Sequence, residues 1–391
     1  MKKLKKIISA VLAVMMLASC VAFSASAEED LSLLGKQGTF DIININIAGL
    51  PIPSSETEDG RDALADNVEM AALLNKMGFD IIAVQEDFNY DIYFRELLTN
   101  YSNVTDNQGN VTERHQTVHA GGVPMGDGLN MFTKNAQFNE VRKSWKESAG
   151  ILDDGSDELT YKGFAVTTIK LEEGYYLDIY NIHADAYGGA ASIKAKEAQF
   201  AQLAEYVKKH SVFDENTLTY DHAVIITGDF NQSICDEEVG GKLVANLLEE
   251  CYLNDAWAVQ TIAEIAENPD NYDAYYTYAN ETNLGYNQTQ GLYDSVERIV
   301  FADGNGIDLS LDVFAYMQIL GADKRPLSDH CAATAIFNYE IVEKVQDTNI
   351  NHDQENVQQE KGMLFRFLEY IASIFRAFGL LIKGLGSGIT F

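Results

Sequence analysis

An α/β protein built from β-α-β units is what the sequence predicts, and three observations carry that prediction. Apolar runs of strand length, rich in β-branched residues, recur along the chain. The first two, Thr39–Ile47 and Phe79–Gln85, are separated by a helix-length stretch, and several runs stop abruptly at polar residues. With 46% hydrophobic residues in 391, a sizeable core can form.

Taken in order, residues 1–27 read as an export signal: a start with Lys2, Lys3, Lys5 and Lys6, an apolar stretch Ile7–Leu17, and Ala25-Ser26-Ala27 ahead of Glu28. The apolar stretch is short for a membrane span. Lipoprotein processing at Cys20 ranks below cleavage after Ala27, because the second site is also well formed. A secreted or cell-surface protein is expected. Residues 28–38 form a polar linker to the first strand. Asp62–Met77 then spaces Leu64, Val68, Ala71, Ala72 and Leu73 along one helical face, and Gly78 stands where a helix should end. Asn100–Pro124 is polar and aperiodic, a long surface loop. Leu129–Phe132, Phe164–Leu171, Tyr176–Ile182 and Val224–Ile226 read as strands, with a helix at Ile193–His210 between the last two. A short helix at Leu243–Glu249, a strand at Ser295–Ala302 and a closing strand at Ala332–Tyr339 complete a domain spanning 39–340.

Residues 341–361 form a polar linker with almost no core-forming residues. The final 362–391 are apolar, yet interrupted by Arg366, Glu369, Arg376 and Lys383. That pattern suits an amphipathic helix lying in a membrane interface, or one docked back on the domain.

The formal net charge of −31 opposes long-range attraction to nucleic acid and argues against a dedicated nucleic-acid binder. It does not exclude phosphodiester hydrolysis. Only Cys20, Cys235, Cys251 and Cys331 are present, with no close pairs, so neither a disulfide framework nor a zinc motif is indicated. His115 and His119 have the spacing of a helical metal pair but sit in loop-like sequence, and the tyrosine-rich 271–287 reads as a surface loop packed on its own rings.

Chemistry concentrates at the strand ends. The run Ala223–Gly228 delivers Asp229 and Asn231 at its C-terminal edge. Asn46 closes the first strand, Glu86 follows the second, His183 ends Leu177–His183, and Asp329 and His330 precede the last. Taken singly, each fits a strand-end turn that bonds only local backbone. For Glu86 such a reading is costly, since an isolated charge directly after a buried run needs a partner.

The ordered set Asn-Ile-x-Gly-Leu, Gln-Glu, Asn-x-His, Gly-Asp-x-Asn and Ser-Asp-His resembles the endonuclease/exonuclease/phosphatase superfamily over roughly Phe40–Tyr339. The resemblance implies a four-layer α/β sandwich, two mixed β-sheets packed face to face with helices outside, and an active site at one end of the sheets. It also implies magnesium (or manganese) as cofactor, with Glu86 as principal metal ligand, Asn46 supporting it and Asp329 in the metal shell. Asp229 would orient or deprotonate the attacking water, and Asn231 would fix phosphate or water. His330 would contact the phosphoryl group and help activate the water, while His183 would stabilise charge on the phosphoryl group or act as general acid. Asp185 belongs to the same pattern, as a substrate-side residue or a loop residue. One departure concerns the aspartate that orients the last histidine in the family: here Glu297 falls at that place, Arg298 falls where an aromatic would be, and either Glu297 or Asp294 would do the orienting.

Similarity of Gly121–Phe132 to the sphingomyelinase-like branch favours a secreted phosphodiesterase acting on a phospholipid head group. A secreted nuclease fits the same catalytic set, and a non-catalytic surface binding protein is the reading from another class. The expected partners are a phosphoester substrate, phospholipid or nucleic acid, and a membrane surface contacted through the tail; the expected state is a monomer.

Overall fold

The computed structural model describes residues 31–344 other than 51–61, 89, 102–103, 106–117, 121–122, 136, 151–159, 187, 233, 235–239 and 268–294. The expected export segment, amphipathic tail, Asp294, His115 and tyrosine-rich stretch lie outside the described residues.

Two β-α-β units form the centre. In the first, β1 (Gln37–Asn46), α1 (Ala63–Met77) and β2 (Ile81–Gln85) follow one another, and β1 and β2 pair in parallel. Helix α1 starts where the Asp62 side chain accepts the Ala65 N–H and ends at Gly78 in the left-handed conformation, whose N–H returns to the Leu74 carbonyl. In the second unit, β6 (Tyr175–His183) and β7 (Ala223–Asp229) pair in parallel and flank α3 (Ala190–His210). The remaining principal strands are β3 (Asn130–Thr133), β4 (Gln137–Ser144), β5 (Gly163–Glu172), β8 (Asn254–Asp255), β9 (Glu297–Ala302), β10 (Ile307–Met317) and β11 (Ala332–Ile341). One sheet runs β10-β11-β1-β2-β3, and the other runs β8-β9-β7-β6-β5-β4 with Val104–Thr105 at its edge. All other neighbouring pairs among these labelled strands are antiparallel, so both sheets are mixed.

Alternation along the central strands explains the layering. Phe40 and Ile42 face a core shared with Ile179, Ile225, Ile299 and Phe301 of the other sheet. Ile43 and Ile45 point to the opposite face and pack on Met70, Ala71 and Leu74 of α1 and Phe94 of α2 (Asp91–Leu97). In the second sheet, Val224 and Ile226 pack outward on Phe200, Leu203 and Val207 of α3 and on α4 (Gly240–Glu250), through Leu243, Val244 and Leu247. Sheets apolar on both faces must be covered on both, and four layers follow. A fifth helix, α5 (Ala256–Glu267), adds Trp257 to the inter-sheet core.

The α1 face differs from expectation. Its buried residues are Ala63, Asp66, Asn67, Met70, Ala71 and Leu74, while Leu64 is 40% exposed. Polar contacts override the apolar spacing: Arg325 forms a bidentate pair with the Asp66 carboxylate, and Asn67 Nδ2 donates to the Ile47 carbonyl at 3.2 Å. The segment expected as a long loop carries Val104–Thr105 and a small hairpin, Val118–Ala120 with Val123–Met125; His119 sits in that hairpin. Strands β4 and β10 and helices α2 and α5 were not foreseen from the sequence. Cys251 and Cys331 are buried and free.

Gly228 allows β7 to deliver Asp229 beside β6. Its φ is +150°, and a Cβ there would lie 2.0 Å from the Ile182 carbonyl oxygen and 2.7 Å from the Ile182 nitrogen. Both obstacles are backbone, so the central parallel pair itself would have to part. Gly228→Ala is therefore expected to lower unfolding stability by about 2 kcal/mol or more, read from the urea midpoint. A midpoint within experimental error of the parent would contradict this account of the strand.

Candidate active site

Four polar residues converge because two parallel strand pairs end side by side, each unit contributing two residues at its carboxyl ends. Asn46 ends β1 and Glu86 follows β2; His183 ends β6 and Asp229 ends β7. Asn46 is fully buried, and its Nδ2 donates at 3.0 Å both to Glu86 Oε1 and to Asp229 Oδ2, tying the two sheets together. Its Oδ1 accepts the Ala48 N–H at 2.9 Å, which fixes the amide orientation. The Glu86 backbone is held at φ 59°, with Gly49 so close to its carbonyl that a Cβ would stand 2.2 Å away.

Beneath these residues lies a bridge between the sheets that sequence reasoning missed. Gln85 Nε2 donates to Asn44 Oδ1 at 2.7 Å and to Asn181 Oδ1 at 2.6 Å, and Asn181 Nδ2 donates to the Val84 and Asn130 carbonyls. Three fully buried amides at the ends of three strands were visible as polar letters inside apolar runs.

His183 is fully buried, and neither ring nitrogen has a hydrogen-bond partner among the described residues. Its Nε2 lies 3.6 Å from Asp229 Oδ2 and 3.8 Å from Glu86 Oε1. Burial, with the positive charges of Lys162 and His330, pulls its pKa well below the ordinary value, so the ring is neutral at pH 7. Asp229 is pushed up to about 6, chiefly by burial and by the nearby Glu297, against the pull of His330. Its Oδ1 accepts the Asn231 N–H at 2.8 Å. Asn231 adopts φ 47°, and its side-chain amide is committed to the Ala184 carbonyl at 2.9 Å.

Ser328 Oγ donates to the Asn46 carbonyl at 2.6 Å and accepts the His330 N–H at 3.1 Å, so the loop before β11 is fastened to the end of β1. Glu297 is bonded to His330 through Oε1 and Nδ1, while Ser295 Oγ donates to its other oxygen. Burial opposes the charged ring, but Glu297, Asp229 and Asp329 together hold the His330 pKa well above its usual value. With Nδ1 turned to Glu297, Nε2 is the atom the ring can present to a phosphoryl oxygen.

Two further expectations change in role. Asp185 is fully buried, bonded to Gln199 Nε2 at 2.6 Å and to the Ala149 N–H, and so anchors the segment after β4 rather than facing a substrate. Asp329 has a 55% exposed side chain with Oδ1 3.9 Å from His330 Nε2, at the rim of the cluster. Lys162, just before β5, was missed: it is 8% exposed, with Nζ 3.4 Å from the Ala184 carbonyl. The lysine directly before a strand-opening glycine was the only signal in the sequence.

The donors available suit a hard divalent cation. Two carboxylate oxygens converge on one amide nitrogen beside an imidazole nitrogen with no partner among the described residues, and Glu86 and Asp229 are the residues that could hold the ion. Asn46 turns its nitrogen to this cluster and its oxygen to the Ala48 N–H, so that it gathers the carboxylates. Ligand atoms of Asp229, Glu297 and His330 also lie within 4.8 Å of one another, but both Glu297 oxygens are engaged by His330 and Ser295.

Residues 61–336 match the model of the Endonuclease/Exonuclease/phosphatase family 2. The chain belongs to this family. Family membership accounts for the ordered strand-end motifs and for the two-sheet architecture that joins them. Among its relatives, the chain is 27% identical over 307 residues to the sphingomyelinases of Mycobacterium tuberculosis and Mycobacterium bovis, an alignment covering 77% of this chain and 53% of theirs. The chain thus spans about half the length of the curated relatives it matches. Solved structures similar to it include sphingomyelinase C from Streptomyces griseocarneus, at 16% identity and TM-score 0.46, covering 76% of this chain and 99% of that one. Another is D. rerio TDP2 complexed with single-strand DNA product, at 13% identity and TM-score 0.48, covering 77% and 99%.

Proposed function

We propose that this protein is an exported, divalent-metal-dependent phosphodiesterase that cleaves a phospholipid head group in the manner of a sphingomyelinase. The observation that carries the reading is the convergence, at the strand ends, of a carboxylate cluster at Asn46 with a histidine held by a carboxylate: Glu86 and Asp229 on Asn46, and His330 on Glu297, with ligand atoms of Asp229, Glu297 and His330 within 4.8 Å of one another. Phosphodiester hydrolysis needs a charge sink for the phosphate oxygens, a proton acceptor for water and a donor near the leaving group. The likeness to sphingomyelinases favours a lipid substrate, and the net charge of −31 disfavours a polyanion such as DNA. The basic, then apolar, then Ala-Ser-Ala start supports export.

Bound at Glu86 and Asp229, magnesium or manganese would neutralise phosphate oxygens and polarise the phosphorus. Asp229 accepts the proton of the attacking water at a carboxylate oxygen. His330 donates from Nε2 to a phosphoryl oxygen, its ring orientation set by Glu297 at Nδ1. His183, neutral and enclosed, turns its Nε2 toward the two carboxylates, 3.6 Å from Asp229 Oδ2 and 3.8 Å from Glu86 Oε1. Asn46 keeps the two carboxylates together while the ion and substrate arrive.

The test is release of phosphocholine from sphingomyelin against release of acid-soluble nucleotides from DNA, each with magnesium and then with EDTA. Metal-dependent phosphocholine release supports the reading; nucleotide release alone would replace it with a nuclease. EDTA is expected to abolish turnover and leave the thermal melt unchanged, because the three apolar clusters that hold the layers do not depend on an ion. A large fall in melting temperature on chelation would instead reveal a structural cation.

A further inference from the structure

Glu297 has one more methylene and one more side-chain torsion than the aspartate expected at its position, so it can hold an imidazole at a fixed angle only if its own carboxylate is pinned. The structure shows how that is done. Ser295 stands two residues before Glu297, across a bend at Val296, and both are buried to within 1% exposure. Oxygen Oε1 of Glu297 faces His330 Nδ1, and Oε2 accepts the Ser295 hydroxyl. The Ser295 backbone is fixed in turn, its carbonyl accepting from Arg298 Nη1 at 3.0 Å. Arg298 Nε donates to Asp255 Oδ2 at 2.7 Å, and Asp255 Oδ1 accepts the Ala258 N–H at 2.9 Å, capping the start of α5. Tyr316 donates its hydroxyl to the Glu297 carbonyl at 3.0 Å, holding the same strand end from β10.

We infer that Ser295 is a positioning residue for His330, the last adjustable link of a buried chain Asp255–Arg298–Ser295–Glu297 that sets the direction of the catalytic imidazole. The longer carboxylate is steadied by a hydroxyl, and the hydroxyl's backbone by the arginine. Every member before His330 is 3% exposed or less, so no solvent competes for these bonds. The kinetic part of the inference rests on the phosphodiesterase reading; its spectroscopic part concerns the resting protein alone.

The experiment compares Ser295→Ala with the parent in three readouts. Turnover kcat on the diester cleaved should fall about 10- to 100-fold with KM unchanged, the range typical when a partner behind a catalytic ligand is removed. The downfield proton resonance of His330 Nδ1–H, assigned by its loss in His330→Gln, should shift or broaden. In a Glu297→Gln background, adding Ser295→Ala should cause no further loss of kcat, because the bond it breaks is already compromised. Ser295→Cys, which keeps the side-chain shape with a far weaker donor, should follow the alanine variant and keeps the test open if alanine folds poorly. A kcat within twofold of the parent, an unmoved resonance, or full multiplication of the two losses would overturn the inference. If the parent cleaves no diester at all, the proposed function fails, while the resonance still decides whether Ser295 holds the histidine.

Discussion

Asp229→Asn is expected to lower kcat by roughly 10²- to 10⁴-fold, the contribution of a positioned general base, while moving the melting temperature little. On the energy scale this is ~3–5.5 kcal/mol of barrier, far more than the same exchange should change in stability. The reason lies in the cost of keeping a carboxylate there: Asp229 is 1% exposed, and its pKa is raised to about 6 by burial and by the neighbouring Glu297. Asparagine removes that charge penalty but offers one acceptor oxygen where Asn46 Nδ2 and the Asn231 N–H each need one, so the two effects offset. The measurement is steady-state kinetics beside a thermal melt; a variant with near-parental turnover would remove Asp229 from the chemistry.

The largest stability effect is expected at the buried ion pair behind the site. Asp255→Ala should lose about 3–5 kcal/mol, because it leaves the Arg298 guanidinium buried without its counter-charge. Both side chains are within 3% of complete burial, with 2.7 Å separating Asp255 Oδ2 from Arg298 Nε and from Nη2. The same substitution removes the acceptor that caps α5. Asp255→Asn keeps a capping oxygen and should recover about 1 kcal/mol, without restoring the ion pair. Chemical denaturation of the three proteins gives the comparison, and an alanine variant within 1 kcal/mol of the parent would show that the arginine finds solvent or another partner.

Much of this molecule was legible in its sequence because apolar alternation and strand-end polarity are local signals. Thr39–Ile47, Phe79–Gln85 and Tyr176–Ile182 read as strands from their own letters, and Asn46, Glu86, His183 and Asp229 stood out as polar residues where burial should stop. Strands β4 and β10 escaped notice for the opposite reason. Each lies at or near a sheet edge and leaves much of one face open, so its apolar density falls below that of a central strand. Partnerships were the least legible part. Asp66 and Asn67 break the apolar stripe of α1 because their partners, Arg325 and the Ile47 carbonyl, lie elsewhere in the chain. Arg298 looked like a misplaced residue until Asp255, 43 positions earlier, was brought beside it. Asp185, read as a substrate-side candidate, proved to be bound to Gln199 and Ala149, which no spacing rule announces.

The central claim is that Glu86 and Asp229, gathered by Asn46, form a divalent-metal centre for phosphodiester hydrolysis. It is tested most directly by turnover measured against magnesium or manganese concentration for the parent and for Glu86→Gln. Glutamine keeps the size and the acceptor for Asn46 Nδ2 but removes the charge. The account predicts a titration shifted to much higher metal concentration, with part of kcat regained at saturation. Superimposable titrations, or turnover that survives chelation in both proteins, would contradict it.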